Sequence, residues 1–304
     1  MQLRPVRNGL DRWLLHLLRP EGVSGDVFLQ PAGESALTAP DAVSWAVFKN
    51  PLALLIGGVA AVVLELAEPR VRSGVWSHST FRQRPLDRLQ RTGHAAMVTV
   101  YGARSRAEAL IAAVGQRHAQ VQGVTPDGRA YRATDPELLD WVHGTASFGF
   151  LSAYHAFVRP LDLPQRDRFY AEGCEAARLY GATSAPRSET EMRALLARMQ
   201  PRLERSDSLV EFLTLMQRVP LLPGPLRWLQ ALLIRAAVQT IPADLRAHLG
   251  LDGPRWRLSA WQRQLVCLAG AAADRVILDA HPAVQACRRL GLPRDHLYAI
   301  RRIS

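Results

Sequence analysis

The stretch at residues 105–128, SRAEALIAAVGQRHAQVQGVTPDG, decides the fold class. Ala107, Leu110, Ile111, Val114 and Val121 recur at the i, i+3, i+4, i+7 spacing of one helix face. His118 falls on that face, four residues after Val114. The spacing predicts a helix from about 105 to 122, ended by Gly123 and followed by a Thr-Pro-Asp-Gly turn. An imidazole on an apolar face needs either a hydrogen-bond partner in the core or something beyond the chain that takes a nitrogen ligand.

The same helical period extends in both directions. Residues 20–40 are rich in Pro, Gly and Ser and read as a loop. A helix capped by Asp41 or Ser44 follows, then an apolar helix over 51–67 that stops at Pro69. After an irregular or short helical piece, a helix opens at Pro85 and stops at Gly102. Asp135 and Pro136 start another helix whose face carries Leu139, Val142, His143, Ala146, Phe150 and Phe157, so His143 also lies on a core stripe. Ser188 and Glu191 match the capping-box spacing of a later helix. Strand-like runs are sparse and no internal repeat is present. The expectation is an all-α protein of about ten helices in a single large domain. It divides into an N-terminal helix and loop at 1–40, a main part at 41–255 and a C-terminal helical extension at 256–304 packed on the same domain.

Composition narrows the function classes. With 48% apolar residues and seven Trp, the 304-residue chain can bury a sizeable core. The formal charge of +11 is carried by scattered Arg, with Lys49 the one lysine. There is no basic run of the kind that reads nucleic acid, and no helix-turn-helix or zinc-finger signature, so no nucleic-acid partner is expected. Cys174, Cys267 and Cys287 are odd in number and far apart, which indicates neither a disulfide framework nor a zinc site and fits a reducing cytoplasm. The N-terminal segment is too short in its apolar run to be a secretory signal, and reads as an amphipathic helix placed on the core or at a membrane surface. Fifteen uncharged residues separate Lys49 from Glu65, short of the roughly 20 that cross a bilayer. That segment is expected to be a buried core helix.

The familiar catalytic motifs are missing: HExxH, G-x-S-x-G, the P-loop, the Rossmann glycines and the spaced carboxylates of a di-iron bundle. The histidines and one basic helix face remain. Arg88, Arg91 and Thr92 stand at i, i+3 and i+4, which puts two guanidinium groups and a hydroxyl on one face. Such a face suits carboxylates or phosphates, because Arg donates paired hydrogen bonds. A flat apolar cofactor with two carboxylates and a central metal would use both this face and His118, and haem fits that description. Taken alone, the arginines read more readily as a solvated helix face and His118 as a satisfied core histidine.

Two stretches carry a resemblance. The first, at 64–92, reads LELAEPRVRSGVWSHSTFRQRPLDRLQRT, and the second, at 118–145, reads HAQVQGVTPDGRAYRATDPELLDWVHGT. Together they resemble the domain shared by latex-clearing rubber oxygenases and fungal MpaB-type oxygenases, over roughly 45–255 and most densely over 64–160. The resemblance implies an all-α fold with a globin-like core that binds haem b. It also implies that His118 is the proximal iron ligand and that Arg88, Arg91 and Thr92 lie near the haem. Rubber oxygenases have Lys where this chain has Arg91, so their distal arrangement does not carry over directly.

His143 and His78 compete with His118 for the iron, and each is a distal or supporting residue if His118 is the ligand. A ligating His118 is expected to donate its other ring nitrogen to a carbonyl or carboxylate. The partners implied are dioxygen and a small apolar substrate, isoprenoid-like in the family, with the 51–67 helix lining its path. Two other readings stay open: a haem-binding sensor or carrier without turnover, and a helical membrane-surface protein without haem. Haem absorption separates the last from the others, and product formation separates enzyme from carrier.

Overall fold

The computed structural model describes residues 9–15, 20, 22–78 and 83–299, apart from the side chain of residue 78. Helix α1 covers residues 9–15. The expected N-terminal amphipathic helix lies for the rest outside the described residues. After a loop come α2 (Val43–Phe48), α3 (Pro51–Ala67), α4 (Pro69–His78), α5 (Pro85–Tyr101) and α6 (Arg104–His118). A hairpin of β1 (Gln122–Val124) and β2 (Ala130–Arg132) leads into α7 (Pro136–Phe157), α8 (Leu163–Tyr180) and α9 (Glu189–Met199). The remainder is α10 (Asp207–Arg218), α11 (Arg227–Thr240), α12 (Ala243–His248), α13 (Ala260–Ala273), α14 (Pro282–Arg289) and α15 (His296–Ala299). The chain is therefore mostly helical, with one small antiparallel sheet where helix and turn alone were expected. The helices outnumber the expected ten because several, such as α12 and α15, are one or two turns long.

Helix α3 is the axis of the molecule. Asn50 caps it, accepting from the Leu52 and Ala53 amides at 3.1 and 3.0 Å, and Pro51 occupies the first turn where no amide partner is missed. The Asn50 side chain also donates to the Gly270 carbonyl at 2.9 Å, which ties α3 to α13. Helix α7 crosses α3 at glycines: a Cβ on Gly57 would fall 2.6 Å from the Phe150 Cα. At the other end Glu68 turns the chain, accepting from the Val71 amide at 2.9 Å and from Arg70 Nε at 2.7 Å. There α3 and α4 meet at a bend of 106°. No single helix among the described residues is long and apolar enough to cross a membrane. Most of α3 is buried, as expected of a core helix.

Two local expectations change. Neither Asp41 nor Ser44 caps α2; the Glu172 carboxylate of α8 accepts from the Val43 and Ser44 amides at 3.0 and 2.9 Å, so the cap comes from across the fold. Helix α6 ends at His118, not near 122. The β-branched Val121, Val124 and Thr125 favour extended backbone, and Thr125 closes the hairpin by accepting from the Gly128 amide at 2.9 Å and donating to the Arg129 carbonyl at 2.8 Å. Gly123 therefore sits in β1, where the Tyr131 ring leaves no room for a Cβ, instead of ending the helix. Val121 turns to Gly74 of α4 and leaves the α6 stripe.

One continuous core runs from Phe28 to Leu297 through Trp45, Trp141, Tyr154 and Phe212. Trp256, Val266, Ala283 and Cys287 from the C-terminal helices belong to it. At about 1.5–3 kcal/mol for each large apolar side chain buried, this core dominates stability.

Candidate active site

On α5 the residues His94, Met97, Val98 and Tyr101 are buried against the core. Arg88 and Thr92 lie on the opposite side of the helix, and with Arg91 they remain solvent-accessible. Thr92 donates its hydroxyl hydrogen to the Arg88 carbonyl at 2.9 Å, so toward a ligand it offers lone pairs only. Farther along α5, Thr99 meets the Tyr180 hydroxyl of α8 at 3.1 Å. The accessible side of α5 thus turns toward α8 over part of its length.

Arg88 is the meeting point of the site. Surrounding protein pushes its pKa down, Glu65 opposes that, and Arg91 reinforces it. Arg88 thus keeps contact with solvent while the protein around it disfavours its charge. Arg88 also acts on His118, whose pKa is lowered first by burial and then by this cation. The C-terminus of α6 would by its dipole favour a charged histidine, but burial and Arg88 win. His118 is half-buried and held neutral, the form that ligates a metal. Among the described residues its ring has no hydrogen-bond partner, so the carbonyl or carboxylate expected to orient it does not appear.

Glu65 was not foreseen as a site residue. It is in the last turn of α3, its carboxyl has no hydrogen-bond partner among the described residues, and burial raises its pKa to about 7, with Arg88 acting in the other direction. The signal in the sequence was one carboxylate ending an apolar run. Its helical neighbours Leu54, Leu55, Gly58 and Val62 are half-buried while most of α3 is fully buried, so they continue Glu65's line along the helix.

His143 is apart from this trio. Its Nε2 lies 3.4 Å from Ser147 Oγ, one turn along α7, and burial pushes its pKa down to about 4. Gly173 of α8 packs close across from it: a Cβ there would lie 3.3 Å from Nε2, tighter than an ordinary contact. No hydrogen bond or charge coupling joins His143 to Arg88 or His118 among the described residues. The side chain of His78 lies outside the described residues. No group of three or more His, Cys, Asp or Glu residues is placed to hold a bare metal ion among the described residues.

The fold is thus mostly helical, and its α3, α5 and α6 carry a carboxyl, a guanidinium and a neutral histidine that are electrostatically coupled through Arg88. The chain belongs to the family described as ER-bound oxygenase mpaB/B'/Rubber oxygenase, catalytic domain, which it matches over residues 45–273. The match begins in α2 and takes in all of α13. Comparison with curated proteins and with solved structures gave no match. Membership makes the protein an oxidoreductase of the oxygenase kind, which uses dioxygen and a substrate.

Proposed function

We propose that the protein is a haem b-dependent oxygenase of a small apolar, isoprenoid-like substrate, with His118 as the iron ligand in a globin-like part of the fold. The observation that carries this reading is the electrostatic coupling of Arg88 to a neutral His118 that has no hydrogen-bond partner among the described residues, which pairs a nitrogen donor with a cation for a carboxylate. Those residues fit haem. His118 would hold the iron, and Arg88 with Arg91 would pair with the propionates, charge-assisted bonds being the strong kind. When bound, haem supplies the oxygen chemistry.

The remaining steps are assigned to the chain's own side chains. Leu54, Leu55, Gly58 and Val62 form an apolar wall that excludes water and leads a hydrocarbon toward Glu65. With a pKa near neutrality, the Glu65 carboxyl can take or return a proton at its Oε atoms, as general acid–base work requires. His143 and Ser147 form a second polar pair on α7, in reserve for the distal role together with His78.

The experiment is an absorption spectrum of freshly purified protein, followed by acid–butanone extraction. A Soret band and an extractable pigment are expected, with no covalent attachment because the chain has no C-x-x-C-H motif. A colourless protein that does not respond to added hemin overturns the cofactor assignment. Oxygen consumption with an isoprenoid probe then distinguishes an oxygenase from a haem carrier.

A further inference from the structure

Helix α13 has its polarity reversed. Val266 and Gly270 face the core, and Gly270 packs so tightly on the Phe157 carbonyl of α7 that a Cβ would collide with it. Residues 261, 265, 268 and 272 share the opposite face at i, i+4, i+7 and i+11. On that face Trp261 is 66% exposed, Leu268 is 59% exposed, Ala272 is exposed and Leu265 is half-buried. Val276 continues the apolar strip just past the helix, 42% exposed. No charged residue occurs between Arg263 and Asp274. A surface helix of a soluble domain ordinarily places charge on this side.

The rim of the face is basic. Arg255 and Arg257 precede its N-terminal end and Arg275 follows its C-terminal end, all exposed, while Arg263 lies on the other side of the helix over the Phe157 ring. Arg255 stacks on Trp256 and donates to the Thr214 hydroxyl, and Arg257 donates to the Asp252 carbonyl, but none of the three rim arginines has an ion-pair partner among the described residues. The nearby Asp274 is neutralised by Lys49 at 3.0 Å. An aromatic side chain offers about 150–250 Å², so Trp261 and its neighbours present a patch of a few hundred Å². That is well short of the roughly 800 Å² per partner of a stable protein interface. Aromatic and aliphatic side chains over a cationic rim instead match the headgroup region of an anionic bilayer, which accepts such a helix in its plane.

We propose that α13 is a membrane-docking helix, seating Trp261, Leu265 and Leu268 among lipid headgroups while Arg255, Arg257 and Arg275 meet anionic phosphates. Docking of this kind requires no cofactor, and it would bring the protein to the phase in which apolar molecules are dissolved.

Flotation of the purified full chain with phosphatidylcholine–phosphatidylserine vesicles tests it. Binding is expected, weakened by salt and by omission of phosphatidylserine. Trp261→Ser with Leu268→Ser should lower apparent affinity about tenfold or more. Arg255→Gln, Arg257→Gln and Arg275→Gln together should lower it at least as much, since each basic residue near an anionic surface contributes on the order of fivefold. Leu179→Ser, at an exposed position on α8, should bind like the parent. A parent that fails to float, or a Trp261/Leu268 variant and an arginine variant that both float like it, overturns the proposal. So does sedimentation velocity showing a dimer that Trp261→Ser dissociates, which would assign the face to a second copy of the chain.

Discussion

Gly57 of α3 and Gly149 of α7 meet backbone to backbone, with a Cβ on Gly57 falling 2.7 Å from the Gly149 carbonyl oxygen. Helix glycine disfavours the helix by about 1 kcal/mol relative to alanine, and here that loss permits the two helix backbones to touch. Gly58, next in sequence, has only Phe150 Cε1 at 3.8 Å. Gly57→Ala should therefore destabilise by about 1–3 kcal/mol through overpacking, while Gly58→Ala should be neutral or stabilise by up to about 1 kcal/mol. Urea titrations of the two variants check this: equal midpoints would mean that the crossing relaxes freely.

Glu65 should make stability fall with rising pH. Its folded pKa, about 7, stands above the ordinary 4.5, so its contribution is complete below about 4.5 and lost as pH rises through 7. The size is on the order of 2 kcal/mol after discounting for partial solvent access. Denaturation midpoints of the haem-free protein between these limits should decline for the parent and hold level for Glu65→Gln. Parallel slopes would show that Glu65 titrates normally.

His143 should act in the opposite direction. Burial lowers its pKa from 6.5 to about 4, so stability present above 6.5 is lost as pH falls through 4. Its imidazole proton resonances should titrate near the lower value, away from those of exposed histidines. Gly173→Ala should perturb that titration, because the added methyl would sit against Nε2.

Much of this fold was legible because the signals are local. Pro85, the Asp135–Pro136 pair and Ser188 placed helix starts through first-turn and capping chemistry, and the amides they cap lie within a few residues. The cap of α2 was not legible, since Glu172 reaches it from far along the chain. The end of α6 at His118 is not legible for a related reason. Helical spacing continued to Val121, but the hairpin that takes Val121 away is held by Tyr131 against Gly123, a contact across strands. In the site, Arg88 and His118 could be named from spacing and resemblance. Glu65 could not be, because its significance arises from burial at the end of α3 within electrostatic reach of Arg88 on α5.

The basic face of α5 carries a prediction about retention. Arg88→Ala should weaken haem binding, losing a charged hydrogen bond of about 1.5–3 kcal/mol. It should also raise the pKa of His118 by removing the nearby cation. Thr92→Ala should weaken retention less, because that hydroxyl already donates to the Arg88 carbonyl. Haem transfer to apomyoglobin measures the retention. If Arg88→Ala holds haem like the parent while the exposed control Arg198→Ala loses it, the propionate assignment falls.

His118 carries the sharpest prediction. Its ring is neutral, half-buried and without a hydrogen-bond partner among the described residues, at the end of a helix where Val121 no longer competes for the same face. His118→Ala should lose the haem spectrum or change it strongly, and added imidazole should restore part of it by filling the vacated space. His143→Ala should keep the haem and alter carbon monoxide binding if it serves the distal side, and the same holds for His78→Ala. Electron paramagnetic resonance of the ferric forms separates these outcomes. His143 is also neutral, and the lack of a side chain at Gly173 spares its Nε2 a close contact. So if His118→Ala keeps a native spectrum and His143→Ala loses it, α7 is the proximal helix and the two histidines exchange roles.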